Sequence, residues 1–418
     1  MSTGPSLRDV SWLRAGATVR VLGLLNADGE EARVAGGAVR NALLGLPVGD
    51  IDIATTALPD EVIRRAKAAH IKSVPTGIEH GTVTLVIDGQ PFEVTTLRED
   101  VETFGRKATV AFGRDWKRDA MRRDFTINGL FATSDGVVHD EVGGLADIAA
   151  RRVRFIGDPS QRIAEDYLRV LRFFRIHAAY GEGPPDRAGY EACIAGRGGL
   201  SGLSAERIRM EMLKLMIAKG AADALVAMDD AGLLLRLTAG VVYHGAFANM
   251  VAIERDLGMK PDAILRLGAL AVAVTEDAKR LSQRWRLSNA ETKRLDSMGH
   301  RWWRAVGMDE AIAQRRLYRL GAPRYRDRMM LAWARAGRDF SAPQWRGLAA
   351  LPERWTPPVF PLKAADFIAR GIAEGPALGH VLTLAEDAWL AQQFPLDRVA
   401  LKAIADDTVA RFTRDHRL

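Results

Sequence analysis

Cysteine is almost absent: the 418-residue chain has one, Cys193. A single thiol excludes an internal disulfide framework and a cysteine-rich zinc site, and between Ala192 and Ile194 it reads as a small buried hydrophobe. Long apolar runs are missing as well. No stretch approaches the roughly 20 residues needed to cross a bilayer. The first thirty residues mix Arg8, Asp9, Arg14, Arg20 and Asp28 with no continuous apolar core of a secretory signal. The expectation is a soluble, cytoplasmic protein with no membrane partner. Clustered histidine is lacking too. His139-Asp140, the one pattern that suggests a metal-dependent phosphohydrolase, falls in a loop-like segment and reads as structural. No G-x-x-x-x-G-K-[ST] occurs, so the chain is not a P-loop protein.

What is present points to a folded chain with a local excess of positive charge. Hydrophobic residues make up 48% and charged residues 27%, so most of the length should fold, and that length suggests two to four domains. The net charge is +7, but residues 279 to 338 alone hold 16 Lys and Arg against 5 Asp and Glu. A charge excess confined to one window argues for a polyanionic partner more strongly than the total does. Trp285, Trp302, Trp303 and Trp333 lie in or beside that window's arginines. Indoles at helical spacing belong to a core, yet arginines beside indoles also suit an RNA backbone, and both readings stand at this point.

In chain order, Leu7 to Asn26 reads as a helix, and residues 33 to 97 as a small mixed sheet with helices. Within it, Leu58-Pro59-Asp60-Glu61 begins a helix. The alternating runs 81–88 and 91–97, separated by Gly89-Gln90, form a hairpin. From Arg98 to Asp119 the periodicity fails, which predicts a mobile loop. A short hairpin is expected through Val142-Gly143-Gly144-Leu145. Beyond Arg154 the pattern is helical: one helix from Pro159 to about Tyr180, another from Ser204, several more between 220 and 350, a linker over Trp355–Pro361, and a last helical segment. The fold class is therefore α+β, a mixed-sheet head (1–155) followed by all-helical neck (156–235), basic body (236–354) and tail (355–418).

Three groups of residues carry chemistry. Asp50 and Asp52 alternate with Ile51 and Ile53, so as strand residues i and i+2 they share a face. Adjacent carboxylates repel unless a cation lies between them. Glu93, alone in an apolar-and-threonine strand, supplies a third, and three such groups can hold two Mg²⁺ ions about 3.5–4 Å apart. Gly36 and Gly37 open a helix carrying Arg40, a backbone shape that lets phosphate approach. Arg169, Arg172 and Arg175 recur every three residues after Asp166 and form one stripe of a helix. With a single carboxylate among them, two of those cations are left for phosphates or bases. The bland alternatives are a strand end facing water, a strand-to-helix turn and a solvated helix face.

Together these residues resemble the bacterial class II tRNA nucleotidyltransferase / poly(A) polymerase family of the polymerase-β-like superfamily. The resemblance rests on Gly36-Gly37-Ala38-Val39-Arg40, Gly49-Asp50-Ile51-Asp52 and Glu93-Val94-Thr95-Thr96-Leu97-Arg98. It continues through Arg122-Arg123-Asp124-Phe125-Thr126-Ile127-Asn128, Gly157-Asp158-Pro159 and Glu165-Asp166-x-x-Arg169-x-x-Arg172-x-x-Arg175, with a tail match over 367–379. It implies template-independent addition of the 3′-terminal C-C-A of tRNA from CTP and ATP, with Asp50, Asp52 and Glu93 as catalytic Mg²⁺ ligands. Gly36, Gly37, Arg40, Arg122, Arg123, Asp124 and Asn128 would then bind the nucleotide's phosphates and ribose. Asp166 and Arg169 would hydrogen-bond its base, with Arg172 and Arg175 in support. The chain departs from the family pattern at Asn41, where Asp is usual, at Gly129 for Ala, and at Ala365 for Gly. A poly(A) polymerase, a CC-only or A-only adder, and an inactive RNA-binding protein on the same scaffold are the competing readings. The residues after Asp52 are not arginine-rich and the three carboxylates are present, which favours CCA addition.

Overall fold

The computed structural model describes residues 5–104, 107–336 and 342–415. The chain divides into two compact units, residues 1–241 with 284–286, and residues 242–283 with 287–418.

The first unit opens with two short helices, α1 (Ser11–Arg14) and α2 (Gly16–Leu25), rather than one. Ala15 is extended between them (φ −62°, ψ 137°). The Asn26 amide then ties the end of α2 to the first strand, donating to the Leu22 and Ala32 carbonyls while its own oxygen accepts the Ala32 N–H at 2.8 Å. A seven-stranded mixed sheet follows, built from β1 (Ala32–Ala35), β2 (Asp52–Thr55), β3 (Lys72–Gly77), β4 (Thr82–Ile87), β5 (Gln90–Thr96), β8 (Leu130–Ala132) and β9 (Val138–Asp140), in the order β3-β4-β5-β2-β1-β8-β9. The β2–β5 pair is parallel and the other neighbours are antiparallel. Strand β4 alternates buried and half-buried residues, as expected of a strand with one face on the core. The β4–β5 hairpin turns at Asp88-Gly89, both at positive φ (52° and 81°). That is the primed turn whose twist matches the strands.

Three local expectations are corrected. The stretch predicted as a mobile loop forms an antiparallel pair, β6 (Arg98–Phe104) with β7 (Lys107–Phe112), followed by helix α5 (Trp116–Met121); residues 105 and 106 lie outside the described residues. The pairing carries a register shift between Asp100 and Glu102, where β6 departs from regular alternation. The hairpin expected around residues 142–145 turns earlier, between β8 and β9, with Gly136 at φ +85°. Its successor Asp140 instead accepts the N–H groups of Val142, Gly144 and Leu145, fixing the entry to α6 (Gly144–Ala149). His139-Asp140 is thus structural.

The third correction concerns the helix predicted from Pro159. It is two helices, α7 (Pro159–Glu165) and α8 (Leu168–Tyr180), because Asp166 is extended (φ −154°, ψ 106°) and its side chain accepts the Leu168 N–H. Helices α9 (Arg187–Gly196), α10 (Ala205–Met216), α11 (Ala221–Asp230) and α12 (Leu234–Thr238) complete the unit. Cys193 is fully buried, and burial pushes its thiol pKa up.

Among its described residues, every regular element of the second unit is a helix. Trp333 is buried in its core, Trp302 donates its indole N–H to the Ala273 carbonyl at 2.9 Å, and Trp303 is 48% exposed. Trp285, fully buried within the first unit, donates to the Leu237 carbonyl. Trp285 and Trp333 are therefore core, Trp302 is half-buried and Trp303 exposed. Trp355–Pro361 is irregular backbone, yet it is pinned: Trp355 and Phe360 lie 5.1 and 5.3 Å from the rings of Phe394 and Trp389, in the core of the last helices. Among the described residues no helix is long and apolar enough to cross a membrane.

Candidate active site

The sheet register brings the acidic residues to one spot. Asp52 pairs directly with Glu93 across the parallel β2–β5 ladder and with Ala35 across β1, and Ala35 leads straight into Gly36-Gly37. Asp52 and Glu93 are both exposed. Partial desolvation and the neighbouring Glu93 carboxylate hold the Asp52 pKa above its ordinary value, with Arg123 opposing and Asp50 adding to the rise. Asp50 precedes the strand, and among the described residues no three His, Cys, Asp or Glu side chains close into a metal-binding group. The donor set nevertheless fits a hard divalent cation. Magnesium is commonly held by one or two carboxylates, with substrate phosphates and water completing its shell.

A cleft of about 540 Å³ extends from Asp52 across the first unit. Ten of the sequence-predicted residues line it: Gly36, Gly37, Arg40, Asp52, Arg123, Asp124, Asn128 and, beyond them, Asp166, Arg169 and Arg172, with Arg175 alongside as an eleventh. Gly36 is the one glycine whose geometry the site demands. Its φ is +66°, and a Cβ there would lie 3.0 Å from the Arg123 guanidinium. Helix α3 (Gly37–Leu43) places Arg40 in the cleft wall, only 7% exposed. Its Nε and Nη2 donate to the Asn41 carbonyl oxygen (3.1 and 2.8 Å), Nη1 to Asn128 Oδ1 and Nη2 to the Tyr180 hydroxyl (2.7 Å), and its Cζ lies 3.7 Å from the Tyr180 ring centre. Burial lowers its pKa. All four hydrogen bonds go to neutral groups.

Every arginine of the predicted stripe, by contrast, has a carboxylate partner. Arg169 pairs with Glu165 and donates to the Arg162 carbonyl at 2.7 Å. Arg172 takes Asp124 through Nε (2.8 Å) and Nη2, and reaches Glu211 at 3.7 Å; Arg175 takes Glu211 as well. The expected two free cations are therefore compensated, Arg172 and Arg175 by the sequence-distant Asp124 and Glu211. Burial alone would raise the Asp124 pKa, but Arg172, the Asn128 amide and the Phe125 N–H outweigh it and leave the carboxyl below its ordinary range. Asp166 does not share a helix stripe with the arginines. From its break between α7 and α8 it takes a two-pronged ion pair from Arg207 (2.6 and 3.2 Å), which also keeps its pKa low against burial. Arg122 does not line the cleft: with Arg123 it pairs to Asp119, 1% exposed, at 2.6 and 3.1 Å.

Sequence reasoning missed Tyr180, Arg207, Glu211, Glu165 and Asp119. Tyr180 had a signal: the stripe read at strict threes drifts off an α-helical face, whereas Arg172, Ile176 and Tyr180 continue it at fours, and all three line the cleft. Arg207 and Glu211 stand one turn apart on α10 and had none.

Two family profiles match the chain: the one described as "Poly A polymerase head domain" over residues 32–154, and "Probable RNA and SrmB- binding site of polymerase A" over 191–239. The chain is 31% identical over 387 residues to the mitochondrial CCA tRNA nucleotidyltransferase 1 of Mus musculus, covering 90% of this chain and 86% of that one. With the CCA-adding enzyme of Limosilactobacillus fermentum it shares 33% identity over 87% of this chain and 89% of the relative. Among solved structures, the Bacillus stearothermophilus CCA-adding enzyme in complex with CTP superposes with a TM-score of 0.73 at 24% identity, covering 95% and 98% of the two chains. The Thermotoga maritima CCA-adding enzyme complexed with tRNA gives 0.69 at 18%, over 97% and 99%, and these two show the shared fold. At that identity and over that length, the chain belongs to the family of CCA tRNA nucleotidyltransferases, the CCA-adding enzymes.

Proposed function

We propose that this chain builds and repairs the 3′-terminal CCA of tRNA without a nucleic-acid template, taking CTP and ATP and releasing pyrophosphate. The observation that carries the reading is the single cleft joining Asp52 and the Gly36-Gly37 turn to Asp166 and Arg169, residues more than a hundred positions away. One end offers carboxylates and close-approaching backbone for a triphosphate and its metal; the other offers a carboxylate and a guanidinium for a base.

The family's chemistry uses a divalent metal, and the finer reading is two Mg²⁺ ions held by Asp52, Glu93 and Asp50. When bound, such ions lower the pKa of the attacking 3′-hydroxyl and neutralise the leaving pyrophosphate. The chain's own contribution is orientation. Arg40, Arg123 and Asn128 bind the phosphates and ribose along the cleft wall. Asp166 and Arg169 read the base. Cytosine presents an amino donor beside a ring-nitrogen acceptor, and adenine does the same. A carboxylate acceptor next to a guanidinium donor complements that order, whereas uracil and guanine present carbonyl and N–H in the reverse order. Arg207 holds the Asp166 carboxylate ionised and in place, and Glu165 fixes the direction of the Arg169 guanidinium. Head, neck, body and tail at 1–155, 156–235, 236–354 and 355–418 are the proposed division of labour, with cytoplasmic action proposed alongside.

Incubating the protein with tRNA lacking its last three nucleotides, CTP and ATP tests the reading. Products that stop after C-C-A support it. Long A tracts point to a poly(A) polymerase instead, and arrest after C-C or addition only to tRNA already ending in C-C points to a partial adder.

A further inference from the structure

Asp166 and Arg169 stand on either side of a joint in the chain. Asp166 is extended between α7 and α8, Tyr167 caps the start of α8, and Arg169 lies in its first turn. Tyr167 itself is outside the cleft wall. Its ring rests instead on Gly199, in a 3₁₀ helix over Arg197–Gly202 that follows α9. A methyl group on Gly199 would overlap the ring at Cγ, Cδ1 and Cε1. At Gly196 a Cβ would lie 2.6 Å from Ile163 Cγ2 and 3.9 Å from Tyr167 Cε1. Residues i and i+3 of a 3₁₀ helix stand one above the other, so the two glycines present a single bare strip to Ile163 of α7 and to Tyr167.

Neither glycine is there for its backbone. Both lie outside the left-handed region, and Gly196 has helical angles (φ −80°, ψ −4°), where alanine is the better helix former. What explains the missing Cβ atoms is the side chains packed over them. Gly198, in the same helix, has nothing within 4 Å of a Cβ. As plain core packing the Tyr167 contact is a poor one, since 37% of that residue stays exposed. The overlap at Gly199 falls on Cγ, the root of the ring, so a flexible tip cannot absorb it. An added methyl either displaces the Tyr167 backbone or drives its χ1 into another well. The first moves the joint; the second removes the ring that braces it. Arg207 and Glu165 hold the ends of the Asp166 and Arg169 side chains, whereas the Tyr167 seat bears on the backbone between them.

We propose that Gly199 is a positioning residue for base selection. By seating the Tyr167 ring it sets the chain between α7 and α8, so that the Asp166 carboxylate and the Arg169 guanidinium meet one base edge together. The inference rests on the base-reading role proposed above and adds to it a specificity determinant outside the cleft.

Single-nucleotide incorporation into tRNA lacking its last three nucleotides gives kcat/KM for CTP and for UTP, with melting curves verifying the fold of each full-length variant. A misplacement of about 1 Å costs up to about 10²-fold in a well-oriented site, so Gly199→Ala should lower the CTP-over-UTP ratio by about tenfold or more. Its tRNA affinity by filter binding does not move. Gly198→Ala adds a methyl to the same helix where nothing opposes it and leaves the ratio as in the wild type. Tyr167→Phe keeps the ring and the ratio. Tyr167→Ala lowers the ratio, and adding Gly199→Ala to it lowers the ratio no further, because the methyl then meets no ring. A folded Gly199→Ala with the wild-type ratio overturns the proposal, as does an equal loss in Gly198→Ala. Additive losses in the double variant also overturn it, since they give the two residues separate roles. If Gly199→Ala does not fold, Tyr167→Ala carries the test, and an unchanged ratio there is fatal. Arg169→Ala separates this from the function proposed above: an unchanged ratio there sinks the base-reading role itself. A blurred ratio in Arg169→Ala beside an unchanged one in Gly199→Ala sinks the Tyr167 seat alone.

Discussion

Replacing Asn41 by Asp gives Arg40 the counterion it lacks. The Asn41 carbonyl oxygen already accepts two Arg40 N–H bonds (3.1 and 2.8 Å), so a carboxylate meets Arg40 in the same way, while its second oxygen turns from the Pro47 carbonyl. A hydrogen bond between neutral partners contributes about 1 kcal/mol and one involving charge about 1.5–3 kcal/mol. Because Arg40 is already charged, the gain per bond from charging the acceptor is at the small end of that difference, ~0.5–1 kcal/mol. Against two such gains stands the loss of the Asn41 amide bond to the Pro47 carbonyl, 2.9 Å and exposed, which costs about 0.5–1 kcal/mol. The net is a stabilisation of about 0.5–1 kcal/mol. For a cooperative unit the size of residues 1–241, that is roughly 1–4 °C in Tm.

The same substitution removes one unit of positive charge from a cleft built for a triphosphate. At a separation of roughly 8 Å and an effective dielectric of about 40, one unit charge is worth about 1 kcal/mol, or roughly fivefold in affinity. Asn41→Asp should therefore raise Tm by calorimetry and raise the KM of CTP and ATP about fivefold, with kcat within about twofold. Asn41→Ala, which removes both Arg40 bonds without adding charge, should lower Tm. A lower Tm in Asn41→Asp, or a higher Tm with nucleotide KM unmoved, would refute the argument that Arg40 acts through uncompensated charge.

Other substitutions probe the rest of the cleft. Asp52→Ala should abolish nucleotide incorporation while tRNA binding by filter assay stays within about twofold, and retained incorporation would remove Asp52 from the metal site. Arg169→Ala should blur the choice of CTP and ATP over UTP and GTP in single-nucleotide incorporation; unchanged selectivity would remove its role at the base. Arg172→Ala leaves the buried Asp124 carboxylate without its cation, while Glu211 keeps Arg175, and should destabilise by about 3 kcal/mol at pH 7. That difference depends on pH. In the wild type the Asp124 pKa is depressed, so its contribution is present above the ordinary carboxylate pKa and is lost as pH falls through the depressed value. In the variant burial dominates and raises that pKa, so the gap in denaturation midpoint should shrink as pH falls below about 4. A gap constant from pH 7 to 3 would contradict the ion-pair account.

What could be read from the sequence was whatever repeats at short range. Asp52 and Glu93 came from strand alternation, and the sheet register then set them side by side. The β4–β5 hairpin followed from two alternating runs around Gly89-Gln90, and the structure sets its turn one residue earlier, at Asp88-Gly89. The arginine stripe of α8 was visible, but most of its charge balance was not, because Asp124 and Glu211 approach from other elements. The break at Asp166 was hidden for a related reason. Locally Asp166 fits a helix, and the two-pronged pair with Arg207, 41 residues on, together with its bond to the Leu168 N–H, accompanies the extended backbone. In strand β6 a register shift between Asp100 and Glu102 interrupts the alternation that announces a strand.

The two clusters of arginine use the same side chain for different work. In the cleft, Arg169, Arg172, Arg175 and Arg207 are each bound to a carboxylate, so their charge is largely cancelled at a distance and their N–H directions are fixed. A cation in that condition adds little non-specific attraction but can distinguish one hydrogen-bonding edge from another, as template-free choice of a base requires. In the second unit, Arg301, Arg304, Arg315 and Arg316 reach no carboxylate among the described residues, so their field extends outward and their directions are less constrained. Cations in that condition attract a polyanion whatever its sequence, as an enzyme serving many tRNAs requires. Arg40 stands between the two: fixed in direction by Asn41, Asn128 and Tyr180, yet uncompensated in charge, it can both orient and attract a triphosphate. Selectivity should therefore be most sensitive to loss of the partners that hold the base-reading pair, Glu165 beside Arg169 and Arg207 beside Asp166.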